Sequence, residues 1–594
     1  MICSHRFPLP GSAVETGPDI HWRRDYVRGI ESGLEYFRRI PYLDAARAGD
    51  HKLIWELNRH QHLIVLGQAF RLTGRREYVD EIRLQLESWW MQNPWLRGIN
   101  WASALEVAFR ALSWIWVDHL AGGALDAGFR SRLLRELYRH GVYLERNLSV
   151  YFAPNTHLLG EAVALHALGS LYPEWPRFAA WRQLGEQLVQ EQMDKQVRDD
   201  GSHFEQSSYY HVYALDLFLF HAQLNPGVSG AFREKMRRMA QYLGALTSAD
   251  GAIPFLGDDD GGNLFHPYGD RRRFGRATLA SCSIFFETNE WPCEPRDIAV
   301  QAAWWMGARA FSSPSRGPRP EAGPKLFTDA GVAVFSNGPV HIVADTRGFG
   351  HAGAGHSHAH ALSVICRKAD TDVLIDPGTF TYTGDPAWRS RFRGTAFHNT
   401  VRVDGFDQAD EGGPFRWLNK PETRILNWTS GAEFTHLHAI CSYRGLAHER
   451  RTLWIYERGL LAIADVVRGS EGDSRPHLVE QFWHCGGNVE AVSPGVWRIG
   501  ESATVTIPES AAARMFSGGE YGWQSNAPGE KEARPVIIVQ RTDVLPVTLA
   551  AIFALGPESV PAMSLEVSAG KIRLLVDSTR SITFGAGAPV IDWA

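Results

Sequence analysis

Histidines stand two residues apart at 356, 358 and 360 in the run HAGAGHSHAHALSV, with Asp376 following in LIDPGT and His398 and Asn399 in AFHNTVRVDG. Alternate residues of a β-strand point to one face, so the three imidazoles are expected on one side of a sheet. An imidazole is a poor core filler but a good ligand and proton carrier. Two imidazoles and a carboxylate suit a tetrahedral Zn²⁺ whose fourth position takes water or a substrate oxygen. The expected ligand set is His358, Asp376 and His398, on chemistry alone, because the spacing matches no short zinc motif such as HExxH.

A second polar constellation lies upstream. NPWLRGINWASALEVAFRALSW offers Asn100, Glu106 and Arg110; APNTHLLGE places Asn155 and His157 at the head of a helical run; DDGSHFEQSSYYHVY holds Glu205, Gln206, Tyr209, Tyr210 and His211. Asn155 is equally suited to cap that helix. Adjacent tyrosines cannot both face a helix core, so one of the pair is expected to look toward the loops.

These residues need elements to carry them. From about Trp22 to Ala310 the apolar spacing is helical, as in HKLIWELNRHQHLIVLGQAFRLTG, which Gly74 should end. Polar loops such as FAPNTH and LGDDDGGN separate the runs, and helical hairpins of this kind predict a toroid with a long inner cleft. Beyond the Ser-, Pro- and Gly-rich stretch SSPSRGPRPEAGP the period becomes two, as in VHIVADT, LLAIADVV and LPVTLAAIFAL, with turns suited to antiparallel pairing. The expected organisation is a helical domain over 1–312, a linker at 313–325 and an antiparallel β-sandwich over 326–594. The fold class is multidomain α+β.

A chain of 594 residues needs more than one core. A net charge of −5 leaves no general nucleic-acid footprint, so any polyanion must meet a local basic cleft. Six scattered cysteines without CxxC spacing argue against a disulfide framework, with a Cys282–Cys293 bridge left open. No run is long enough to span a bilayer, and MICSHRFPLPGSAV lacks an apolar signal core, which as written predicts a protein without an export signal. The tryptophans at 89, 90, 95, 101, 114 and 116 are expected to pack between helices rather than stack on sugars. The acidic run Asp258–Asp260 is expected as a solvated turn, with a cleft wall as the other reading.

WELNRHQHLIVLGQAFRLTG, NPWLRGINWASALEVAFRALSW, PNTHLLGEAVAL, DGSHFEQSSYYH, GHSHAHALSV, IDPGTFTY and FHNTVRVDG, in that order, resemble the heparinase II/III family of polysaccharide lyases, and its heparinase III-like branch most. The resemblance implies an incomplete (α/α) toroid followed by an antiparallel β-sandwich, with the site between them. Family chains often begin further upstream, and HRFPLPG resembles the tail of such a leading segment. As written the chain reads as cytoplasmic; a truncated start would open a periplasmic or secreted location.

The implied reaction is β-elimination at a 4-O-linked uronic acid in an anionic polysaccharide. It requires neutralising the carboxylate, removing the C5 proton and protonating the departing oxygen. By motif, Asn155 would neutralise the carboxylate, Tyr210 would be the acid and for some substrates the base, and His356 the partner base. His157, Glu205, Arg110, Arg393 and Asn399 are expected to contact the substrate. The family zinc would sit on His358, Asp376 and His398 in a structural role, with His360, where many relatives carry Asp, as an extra neighbour or competing ligand. The other readings are a uronyl C5-epimerase on the same scaffold, a glycoside hydrolase using carboxylates among Glu106, Glu205, Asp199, Asp200 and the run Asp258–Asp260, and a non-catalytic polysaccharide-binding protein. No dense basic cluster falls in the cleft segments, which favours a weakly sulfated or unsulfated polymer.

Overall fold

The computed structural model describes residues 1–594 except 10–11, 152, 266–270, 312–322, 557, 569 and 594. Among the described residues ten longer helices build the first domain: α1 (His51–Asn58), α2 (Gln61–Thr73), α3 (Glu77–Gln92), α4 (Ala104–Ala121), α5 (Ala127–Arg146), α6 (Thr156–Leu171), α7 (Pro176–Gln196), α8 (Ser208–Leu224), α9 (Gly230–Leu246) and α10 (Phe274–Phe286). They form the incomplete (α/α) toroid. Helix α6 is apolar around most of its circumference because α4, α5, α7 and α8 all pack on it.

The run expected as one helix up to Gly74 is two. His60 adopts a left-handed conformation (φ 59°) that breaks it, and this turns Arg59 toward α4. Gly74 does end α2, at φ 70°, with its N–H donated to the Phe70 carbonyl. The tryptophans pack as expected: Trp89, Trp101 and Trp114 are buried among one another and His140. Cys3, Cys282, Cys366, Cys441 and Cys485 are free thiols, so the Cys282–Cys293 bridge does not form. Among the described residues no helix is long and apolar enough to cross a membrane.

The expected linker, 313–325, lies outside the described residues up to 322, and Lys325 already belongs to a strand. Strands β1 (Lys325–Phe327), β2 (Val332–Asn337), β3 (Val340–Asp345), β4 (Ser363–Lys368) and β5 (Thr371–Leu374) make a five-stranded antiparallel sheet in chain order. After β5 the chain forms helix α11 (Pro386–Arg393) and strand β6 (Val401–Val403), which opens a four-stranded sheet.

Both sheets face one side of an eight-stranded sheet, and a second four-stranded sheet, Ser564–Ser568 to Val590–Trp593, covers its other side. The central strands therefore alternate between two cores: Leu461 and Ile463 point to one, Leu460, Ala462 and Ala464 to the other. The sandwich is in effect three-layered.

The domains meet along an apolar seam where Tyr242, Leu246 and Leu256 pack on Val332, Val334, Val343 and Ile365. His341 bonds the Ala245 carbonyl across the seam at 2.9 Å.

Candidate active site

A cavity of about 1050 Å³ opens between the domains. Its helical wall carries Lys52, Arg59, Glu106, Asn155, His157, Glu205, Tyr210 and Asp260, and its β wall His356, Tyr382 and Phe415. Helix ends deliver the helical residues. Asn155 is the N-cap of α6, its Oδ1 accepting the His157 N–H at 3.0 Å. Ser207 caps α8 by accepting the Tyr210 N–H at 3.1 Å, so Tyr210 lies in the first turn.

The two tyrosines part company there. Tyr209 turns away and stacks on Phe255 and Phe274, while Tyr210 stacks on His356 with ring centroids 4.0 Å apart. His211 also points away, to the Met239 carbonyl.

His356, His358 and His360 do not lie in a strand. They occupy an irregular segment of turns and bends before β4, yet His356 and His358 both reach Asp258 and the His358 and His360 rings lie 5.8 Å apart. That segment is held by the acidic run. The Asp258 N–H bonds the His356 carbonyl at 3.0 Å, an approach possible only because Gly257 (φ 71°) lacks a Cβ, which would sit 2.7 Å from that oxygen.

Asp258 is a hub rather than a solvated turn. Its Oδ2 accepts from His356 Nδ1 at 3.0 Å, its Oδ1 from His358 Nε2 at 2.9 Å, and Arg389 of α11 grips both oxygens at 2.5 and 2.8 Å. Asp259 pairs with Arg271, and Asp260 with Lys52 at 2.9 Å. Asp258 and Asp259 are buried and half-buried Asp260 lines the cavity, so the expectation of a solvated turn is corrected and Asp260 forms part of the cleft wall.

Glu205 joins the two walls. Its Oε2 lies 3.0 Å from Asn155 Nδ2 and 3.3 Å from His356 Nε2, and its Oε1 accepts the Thr156 N–H at 3.0 Å. Burial lowers the basicity of His356, but the Asp258 hydrogen bond and the Glu205 charge outweigh it and hold the imidazole above its usual range. Burial, then Asp260, then Tyr382 push the Tyr210 phenol well above its ordinary value, so these surroundings keep it protonated and oppose a base role. The Tyr382 hydroxyl lies 3.0 Å from that of Tyr210. Burial drives His157 down to about 4, leaving it neutral.

Three expected contacts do not reach the cavity. Arg110 is fully buried behind it, bonding His140 and the Asn100 carbonyl at 3.0 Å each over the Trp89 ring. Arg393 donates to the carbonyls of Gly413 and Pro414 above Trp417. Asn399 knots strands together, donating to Val364 and Ile375 carbonyls at 2.8 Å each while accepting the His484 N–H. Each buried side chain bonds to backbone carbonyls where a solvated ligand contact had been expected.

Beneath His356, the ligating nitrogens of His358, His360 and His398 lie within 4.8 Å of one another. Among the described residues His358 Nδ1, His360 Nδ1 and His398 Nε2 have no hydrogen-bond partner. Asp376 Oδ2 instead lies 2.7 Å from His398 Nδ1, and His360 Nε2 lies 3.1 Å from Asp345. The geometry thus differs from the expected set: His360 stands with His358 and His398, and Asp376 orients His398 from behind.

Sequence reasoning assigned no role to Arg389 or Tyr382, and placed Asp258 only in an acidic run. The Gly residues flanking the run in LGDDDGG were the one available signal that it turns inward.

The loop carrying Asn155 is anchored from below. Buried Glu161 accepts from Ser149 N–H at 2.7 Å and Ser149 Oγ at 2.6 Å, and burial lifts its carboxyl to about 8. A raised folded-state pKa means that the native protein holds a proton the unfolded chain releases, so this group's contribution falls as pH rises from about 4.5 to about 8. Glu161→Gln, which keeps both bonds without ionising, is expected to flatten that decline. Melting temperatures of both proteins at pH 5 and pH 8.5 check it.

A helical toroid and a β-sandwich with a Tyr, His and Asn site at their seam define a class, and the family follows. The heparinase II/III N-terminus model matches residues 1–263 and the heparinase II/III-like C-terminal model residues 319–582. The chain belongs to the heparinase II/III family.

It is 26% identical over 461 residues to a heparin-sulfate lyase of Bacteroides stercoris, covering 72% of this chain and 63% of that protein. It thus spans less than two thirds of the length of the curated relatives it matches. In fold it matches a heparinase III structure with a TM-score of 0.67 at 18% identity, over 90% of this chain and 82% of that one. A heparan sulfate lyase mutant from Pedobacter heparinus gives 0.62 at 19% identity, over 99% and 87%.

Proposed function

We propose that the protein is a polysaccharide lyase cleaving an anionic, 4-O-linked uronate polymer of the glycosaminoglycan kind by β-elimination. The observation that carries this reading is the stack of Tyr210 on His356, with one oxygen of Glu205 shared by His356 and Asn155. That brings an acid, a base and an amide donor to one cavity. The sequence relatives that bear the name heparin-sulfate lyase support the substrate class.

In the reaction Asn155 donates its amide hydrogen to the uronate carboxylate, offsetting the charge that builds there as the C5 proton leaves. His356 takes that proton at Nε2, because Asp258 holds Nδ1 and so fixes the tautomer that faces the cavity. The C5–H electrons become the C4=C5 double bond as C4–O4 breaks. Tyr210 gives its phenolic proton to O4 and is restored from solvent.

His358, His360 and His398 fit a divalent metal such as Zn²⁺, since three buried ring nitrogens converge without other partners. When bound, the ion supplies positive charge beneath the His356 segment and ties it to β6. Chelation by EDTA is therefore expected to lower the melting temperature by several degrees, with Zn²⁺ restoring it. An unchanged melting curve together with a metal-free elemental analysis would overturn that assignment.

The deciding experiment is ultraviolet absorbance of the unsaturated uronate across a panel of uronans. Product from one polymer establishes the lyase. Solvent deuterium entering C5 without product moves the protein to the epimerases.

A further inference from the structure

The inner cations of the cavity are already committed. Lys52 pairs with Glu56 and Asp260, and Arg59 pairs with Glu56 at 2.6 Å and with Glu106 through two bonds of 2.7 Å. The floor is thus close to electrically balanced and offers a polyanion little net attraction.

The mouth is different. Arg38 and Arg146 on the helical rim and Arg416 on the β rim line the cavity, are exposed, and form no ion pair among the described residues. The segment joining α5 to α6 follows Arg146 and is tied to Arg38 through Asn147, and its Tyr151 is 96% exposed while still lining the cavity.

An exposed aromatic residue alone means little. Here the chain on either side of it is anchored, and it shares the cavity lining with the three arginines. Glu161 clamps Ser149 two residues before it, Arg38 Nη2 bonds Asn147 Oδ1 at 3.0 Å, and the Asn155 cap closes the far side. An exposed aromatic ring and three guanidiniums without an ion pair among the described residues, all lining one cavity mouth, match a repeating polymer whose sugar rings have an apolar C–H face and whose substituents are anionic.

We propose that Tyr151, with Arg38, Arg146 and Arg416, forms an outer subsite that grips sugars flanking the cleaved uronate, so that most of the electrostatic recognition happens at the mouth and not at the reacting residue. This rests on the lyase reading above. The ring face of Tyr151 stacks on a pyranose, and the arginines receive carboxylates or sulfates on its neighbours. Arg416 stands across the cleft, so an occupied subsite spans both domains.

The test uses the full chain with long and short size fractions of low-sulfate heparan sulfate oligosaccharides. Tyr151→Ala is expected to raise KM for the long fraction by about 10-fold with kcat moved less than about twofold, and to erase the wild-type preference for long over short chains. Tyr151→Phe, which keeps the ring, is expected to retain that preference. Arg146→Gln should flatten the salt dependence of affinity for the long fraction.

Equilibrium binding on a Tyr210→Phe background separates this idea from the lyase reading. Wild-type cleavage that is indifferent to Tyr151→Ala overturns the subsite and keeps the lyase. Long-chain binding lost in Tyr151→Ala, with no product from wild type on any uronan, keeps the subsite and overturns the lyase. No binding of either fraction overturns the subsite, and the lyase reading is then decided by the uronan panel.

Discussion

Tyr210→Phe is expected to lower kcat by about 10²–10⁴-fold while oligosaccharide affinity stays within about twofold of wild type. The change removes one oxygen. The ring remains between Tyr213 and His356, so the cavity keeps its shape. What is lost is the only proton on that side chain that can reach a departing sugar oxygen, held in place by surroundings that keep the phenol protonated. Single-turnover product formation with separately measured binding gives the two quantities. Loss of less than about tenfold in kcat would transfer the acid role to Tyr382, whose hydroxyl sits 3.0 Å away.

Asp258→Asn is expected to damage stability and catalysis together. One fully buried carboxylate answers Arg389, His356 and His358, and neutralising it strands a buried guanidinium. Breaking such a pair costs about 3–5 kcal/mol, enough to shift a denaturation midpoint clearly. The amide can also present its NH₂ to His356 Nδ1, favouring the wrong tautomer, and a loss of about 100-fold or more in kcat/KM is expected. Urea unfolding and initial rates on the same preparation check both. A variant with wild-type stability would show that Asp258 is not the hub its contacts describe.

Much of the architecture was legible from period alone. The switch from helical to alternating spacing near residue 325 falls where β1 begins, and the toroid and sandwich follow in that order. Three things were not legible. His60 breaks a continuous apolar pattern through a backbone conformation that no periodicity encodes.

The third layer was hidden because its mark, the near-continuous apolar runs of Leu460–Arg468 and Val547–Ala554, cannot be told by period alone from a buried helical segment. Among the site candidates, Asn155, His157, Glu205, Tyr210 and His356 all reach one cavity, since helix caps and a Gly-bounded loop place them locally. Arg110, Arg393 and Asn399 share the same motifs yet serve the packing behind it. Residue type in a motif cannot tell a cavity wall from the layer that supports it; only long-range contacts such as Arg389 on Asp258 can.

The strands Leu460–Arg468 and Val547–Ala554 have no solvent side through their middles. In a common two-layer sandwich every second position of such a strand is free to drift among polar residues. Here neither parity is free. Ala462 and Ala550, whose neighbours Leu461 and Leu549 fill the inner core, are confined to small apolar side chains by the sheet that lies over them. Variation available to this domain is therefore pushed out to its turns and to the loops around the cavity mouth, where substrate preference can change without disturbing what supports the site.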